Sequence, residues 1–174
     1  MPRPLRLSFP FGVYHIATRG VDGRMIFLDR DDRRFCVKLI RRLRARYGIR
    51  VVSWCLMGNH LHLLIEAGQP AMSRAMQWFL GVYAQRFNRR HGRHGHLFQS
   101  RYTSRWIEDE DDLSDTTFYV LMNPVDAGLV RRPQDWPWSW PRVIGAIERT
   151  MRVPRSARAR PPPQEQRPPL SCSS

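Results

Sequence analysis

Between residues 13 and 108 the apolar side chains switch repeatedly between two spacings, and few chain topologies can satisfy that succession. Residues 13–19 read as a strand, closed by Gly20 and a turn at Asp22-Gly23. Phe35, Leu39, Leu43 and Tyr47 then recur every four residues, while Arg33, Arg34, Arg41, Arg42, Arg44 and Arg46 mostly fall elsewhere. That pattern predicts an amphipathic helix with a basic outer face, begun by Asp31 and Asp32 and ended by Gly48. Residues 49–57 are β-branched and apolar, Gly58-Asn59 supplies a turn, and residues 60–66 form a third strand. Met72, Met76, Phe79, Tyr83 and Phe87 mark a second helix running to about Arg90, and residues 101–108 read as a fourth strand. The order β-α-β-β-α-β is the ferredoxin-like arrangement, an α+β fold with a four-stranded antiparallel sheet, two helices on one face and the other face open. A further C-terminal helix is expected over residues 109–122, ended by Pro124, which disfavours helical geometry at Asn123. The segment through Trp136, Trp138 and Trp140 should pack a short element onto the body. One folded domain over residues 1–150 and a disordered Arg/Pro/Ser-rich tail over 151–174 follow.

Charge narrows the partner. The 174 residues include 29 Lys+Arg against 15 Asp+Glu, a formal charge of +14, and Lys38 is the only lysine. A codon bias explains arginine over lysine but not the excess of base over acid. Arginine forks match phosphate oxygens and stack on bases, so nucleic acid is the first inference. Cys36, Cys55 and Cys172 are odd in number and widely spaced, which fits neither a disulfide framework nor a zinc motif. With no run near the roughly 18 apolar residues a membrane span needs, the expectation is a cytoplasmic, nucleoid-associated protein with no membrane partner.

His60-Leu61-His62 carries the most chemistry. On a strand, side chains at i and i+2 share a face, so both imidazoles point the same way while Leu61, Leu63 and Ile65 point toward the helices. The histidines then project from the open sheet face, where neutral imidazoles can bind a divalent metal. Two unrelated histidines on a half-exposed strand would leave the same triplet. Tyr119 and Asn123 lie four apart on the last helix and so stack on one side of it. A helix laid across the open face would bring both to the histidines. A phenol is a poor nucleophile unaided, and a divalent ion on a phosphate makes attack feasible. Taken singly, Tyr119 also fits a core aromatic and Asn123 a helix cap before proline.

Several motifs in order and spacing carry a family resemblance. Tyr14-His15-Ile16, Arg19-Gly20, Cys55-Leu56-Met57, Asn59-His60-Leu61-His62-Leu63-Leu64, Gly95-His96-Leu97-Phe98-Gln99-Ser100-Arg101-Tyr102, Tyr119 through Asn123-Pro124-Val125, Ala127-Gly128-Leu129-Val130 and Trp138-Ser139 resemble the REP-associated tyrosine transposases, domesticated relatives of the single-tyrosine HUH transposases. The resemblance covers roughly residues 10–145. It implies that His60 and His62 bind Mg²⁺ or Mn²⁺, with Asn123 as third ligand. It also implies that Tyr119 attacks a DNA phosphate, leaving a 5′-phosphotyrosine and a free 3′-hydroxyl. The implied partner is a short single-stranded DNA hairpin with unpaired flanks. A monomer is favoured, although the superfamily includes dimers that exchange tyrosine helices. Asp126 departs from the pattern, since the family usually carries a basic residue there.

Other residues complete the expected interface. Arg89, Arg90, Arg93 and Arg101 flank the glycine- and histidine-rich loop at residues 91–96, and Arg19 and Arg105 are further candidate DNA contacts. His91, His94 and His96 lack the cysteines a zinc site would add. His15 on the first strand can approach the histidine pair, and Glu66 extends the same face of the third strand. Two other functions share these features. A non-catalytic nucleic-acid-binding protein on the same fold would bind single strands by stacking alone. A replication initiator or relaxase would use the same chemistry and would be expected to carry further domains.

Overall fold

The computed structural model describes residues 11–141; the expected tail over 151–174 and both ends of the expected 1–150 domain lie outside them. The chain runs β1 (Gly12–Arg19), α1 (Arg30–Tyr47), β2 (Arg50–Leu56), β3 (His60–Ala67), α2 (Gln69–Arg90), β4 (Thr103–Trp106), α3 (Glu110–Asp126) and β5 (Ser139–Trp140), with single 3₁₀ turns at Val21–Gly23 and Pro133–Asp135. The sheet order is β4-β1-β3-β2-β5, every pairing antiparallel. The α+β, ferredoxin-like expectation holds for the first four strands. The sheet has five strands rather than four. β2 would otherwise present a bare edge, and the tryptophan segment covers it: Leu56 N–H donates to Trp138 O at 2.8 Å and Ser53 Oγ to Trp140 O at 2.9 Å.

Local chemistry explains the elements. Asp29 caps α1, its carboxylate accepting from the N–H groups of Asp31 and Asp32. Gly48 ends that helix at φ 68°, a left-handed cap that only glycine adopts cheaply. The fourth strand is shorter than the sequence pattern suggests, because only Thr103 to Trp106 stay in register with β1. α1 and α2 cover one face of the sheet, where Leu61, Leu63 and Ile65 meet Leu39, Leu43, Met76, Phe79, Tyr83 and Phe87 in the main core. The opposite face is not left open. α3 lies over β2 and β3, and Val120 closes a smaller cluster with Cys55, Met57 and Leu64.

Pro124 does not end α3. The proline lies inside the helix and is buried, and the helix runs to Asp126. Proline forfeits one i→i−4 bond, but the next turn recovers partners through Ala127 N–H to Asn123 O at 3.0 Å and Gly128 N–H to Val125 O at 2.9 Å. The extra turn keeps Asn123 within the helix.

Gly20 fastens β1 to the strand that carries the histidines. Its N–H donates to Asn59 O at 2.8 Å, and a Cβ at this position would sit 2.1 Å from the Arg24 carbonyl oxygen. That oxygen is backbone and cannot swing away. Gly20→Ala is therefore expected to destabilise the fold by about 1–3 kcal/mol. Urea unfolding should show a lower midpoint at unchanged slope; an unchanged midpoint would mean that the turn yields freely.

Candidate active site

Four side chains converge where α3 crosses β1 and β3. In the β1–β3 register His62 pairs with Ala17 and His60 with Arg19. His62 is 6% exposed, and its ring stands edge-on to His60 with 5.0 Å between centroids. Tyr119 descends from α3, its ring edge-on to His62 at 5.6 Å and to His15 at 6.0 Å. Asn123 follows one turn later. Its Nδ2 donates to Tyr119 O at 2.8 Å, and its side chain also acts on both His60 and His62, raising their pKa against the effect of burial.

Each imidazole is held by its other nitrogen. His60 Nδ1 lies 2.7 Å from Asn59 Oδ1, so the ring donates there and presents Nε2 as a lone pair. His62 Nδ1 lies 3.0 Å from His15 Nε2, and the two rings are within 16° of coplanar. His62 Nε2 is buried with no hydrogen-bond partner among the described residues. Such an orphan is costly unless something binds it. A lone pair at Nε2 requires the proton on Nδ1, donated to His15, which is how partners outside a metal's ligand set orient liganding histidines.

The electrostatics keep these rings neutral. Burial, then the neighbouring His15 and His60, pushes the His62 imidazole down from 6.5 to about 3, against the opposing effect of Asn123. Burial and Arg105 lower His15 to about 4, with Asp112 opposing. Burial also lowers His60, with Arg19 adding to the effect and Asn123 opposing it. Neutral imidazole is the form that binds metal. These rings are neutral when folded but take up protons when unfolded below about pH 6.5. A depressed folded pKa therefore means stability that is complete above 6.5 and falls as pH drops toward 4 and 3. The melting midpoint is expected to decline between about pH 6.5 and 5, before most carboxylates titrate. The double variant His15→Gln, His62→Gln should flatten that decline; an equal slope in both proteins would refute the assignment.

The donor set can be tested against a metal ion. His60, His62 and Asn123 lie together, with a buried, unpartnered Nε2 among their donors, and two imidazoles and an amide fit a divalent cation with positions left over for water and phosphate oxygens. All three donors are neutral, so they compensate none of the ion's charge. Among the described residues no group of three His, Cys, Asp or Glu is placed to hold a metal. His91 instead bonds Asp32 at 3.0 Å and packs on Phe87.

The remaining expected residues divide. Tyr119 is 41% exposed, as an attacking group must be, and its hydroxyl has no hydrogen bond among the described residues. Arg19 is exposed near His60, and Arg89 and Arg101 are exposed. Arg93 lies half-buried with its guanidinium over the Phe87 ring. Arg90 is engaged by Asp29 at 2.6 Å and Asp32 at 2.7 Å, tying the end of α2 to the start of α1. Arg105 grips Asp112 at 2.8 Å and also bonds Thr116, clamping β4 to α3. Both are structural ties in this conformation. Glu66 pairs with Arg50, and Asp126 is exposed past Asn123. Asn59, which the sequence marks as a turn residue directly before the histidine pair, also orients His60 through its side chain.

Comparison with known proteins gives three findings. A family model described as transposase IS200 like matches residues 12–123, a span that includes His60, His62, Tyr119 and Asn123. A Haemophilus influenzae protein, provisionally named a REP-associated tyrosine transposase, is 28% identical over 104 residues, covering 53% of this chain and 59% of that protein. The match thus spans little more than half the length of that relative. A solved structure of a REP-associated tyrosine transposase bound to a REP hairpin superposes with a TM-score of 0.63 at 17% identity, covering 80% of this chain and 82% of that one. It has the same fold.

Proposed function

The chain belongs to the IS200-like transposase family, and from that premise we propose that it is a REP-associated-type nickase that cuts and rejoins single-stranded hairpin DNA through Tyr119. The observation that carries the reading is the meeting of Tyr119, His62, His60 and Asn123 under one helix, with the tyrosine ring 5.6 Å from His62. Tyr119 Oη attacks the scissile phosphorus. The phenolic proton passes to solvent, the P–O3′ bond breaks, the leaving 3′ oxygen takes up a proton from solvent, and the products are a 5′-phosphotyrosine and a free 3′-hydroxyl. Attack by that hydroxyl, or by another 3′ end, reforms a phosphodiester and releases the tyrosine. A divalent Mg²⁺ or Mn²⁺ held by His60, His62 and Asn123 would neutralise phosphate charge. His15 and Asn59 fix the two rings. Arg19, Arg89 and Arg101 are exposed to meet the DNA backbone, with Arg93 beside them over the Phe87 ring, which predicts binding that weakens steeply with salt.

DNA hairpin binding is also what the solved relative of the same fold is described as doing. Among the described residues no helix is long and apolar enough to cross a membrane. The test is a gel assay for covalent protein–DNA adducts, with Mn²⁺ or Mg²⁺ and single-stranded hairpins from sequences flanking the gene. A metal-dependent adduct supports the nickase. Tight hairpin binding with no adduct on any of several hairpins would favour a binding protein that has lost catalysis.

A further inference from the structure

On the far side of β2 from the histidines, a groove of about 810 Å³ runs between α1 and the β5 edge. One wall is the outer face of α1, where Lys38, Arg41 and Arg42 stand at i, i+3 and i+4. The other wall is aromatic: Trp54, Trp138 and Trp140. A second hollow of about 340 Å³ continues it and shares Arg41, Trp54 and Trp140, so the two form a track with tryptophan between them. Trp54 and Trp140 are direct cross-strand partners, which sets their indoles side by side.

Three observations indicate an absent polyanion with flat groups. Lys38, Arg41 and Arg42 have no acidic partner among the described residues, whereas Arg50, Arg90, Arg105 and Arg132 all do. Like charges at this helical spacing repel, and a bound anion would relieve them. Trp140 is 51% exposed, and among the described residues no cation sits over its indole, whereas Arg33 covers a face of Trp138 and Trp54 is partly buried, so Trp140 is the ring open to a base. The segment after Pro141 is itself rich in arginine, so charge argues against its filling the groove. A cationic wall facing aromatic rings is how proteins hold single strands, with phosphates on the charges and bases on the rings.

We propose that this groove is a second nucleic-acid site, taking an unpaired stretch of single strand beyond the segment bound at the histidines. It rests on the reading of the chain as a nucleic-acid binder but not on its cutting DNA. The probe is an oligodeoxythymidylate of about 12 nucleotides, within the site sizes of known single-strand grooves. Binding to the full chain is followed by anisotropy and tryptophan quenching across a salt series. Trp140→Ala should weaken binding about tenfold with little change in salt slope, and Trp140→Phe should restore most of it. Lys38→Gln, Arg41→Gln, Arg42→Gln together should lower the salt slope by about two. All three proteins should melt like wild type and form the same adduct on a hairpin trimmed of its flanks, so a failed nickase and a failed groove read out differently. Unchanged oligonucleotide affinity in Trp140→Ala and in the triple variant would overturn the proposal. So would a polyglutamate peptide competing equally while Trp140→Ala had no effect, since that is a charge patch without base stacking.

Discussion

Changing Tyr119 to phenylalanine is expected to abolish the covalent protein–DNA adduct and to cut strand cleavage by at least about 10⁴-fold, the scale on which enzymes lose rate when their nucleophile is removed. The substitution deletes one oxygen and keeps the ring. That ring packs edge-on against His62 and His15, and its hydroxyl holds no other group among the described residues. Stability should therefore change by no more than about 0.5 kcal/mol. Hairpin affinity and metal binding should also stay near wild type, because both use other side chains. The combination separates a nucleophile from a structural tyrosine: lost adduct, retained fold, retained ligands. Cleavage surviving in Tyr119→Phe would show that another group, or water, attacks the phosphate.

Much of this could be read from sequence, for identifiable reasons. Alternation with period two fixed His60 and His62 on one face and Leu61, Leu63 and Ile65 on the other, and the core confirms that division. Spacing of four placed Tyr119 and Asn123 on one side of α3, where their hydrogen bond now joins them. What local patterns could not supply were partners distant in the chain. The helical pattern places Arg33 on the basic outer face, yet its guanidinium lies within 6.0 Å of the Phe27, Trp136 and Trp138 rings, because the segment carrying Trp136 and Trp138 folds back over α1. Arg90 and Arg105 read from sequence as DNA contacts, and in the fold α1 and α3 bring Asp29, Asp32 and Asp112 to them. Pro124 reads as a stop by local rule, and its burial overrides that rule. The His15–His62 bond joins residues 47 apart and depends on the register of β1 against β3.

The second large effect should come from His62→Ala. The substitution takes away the unpartnered Nε2 of the proposed ligand and leaves His15 Nε2 without its bond. Loss of groups that merely orient metal ligands costs 10- to 100-fold in affinity, so loss of the ligand itself should weaken Mn²⁺ binding by about a hundredfold or more. Electron paramagnetic resonance of free Mn²⁺ measures this without any reaction. Because all three donors are neutral, wild-type Mn²⁺ affinity should rise when a hairpin brings a phosphate to the site, and His62→Ala should lose that gain as well. Tyr119→Phe should keep it. The two variants then answer a question of assembly. Tyr119 reaches His62 of its own chain in this structure. Mixing the Tyr119→Phe chain, with its ligands intact, and the His62→Ala chain, with its nucleophile intact, should yield no adduct. Adduct recovered on mixing would mean that the helix carrying Tyr119 crosses to a second copy, and that the arrangement within one chain is not the one that cuts. Equal Mn²⁺ affinity in wild type and His62→Ala would instead remove His62 from the metal site, whatever the tyrosine does.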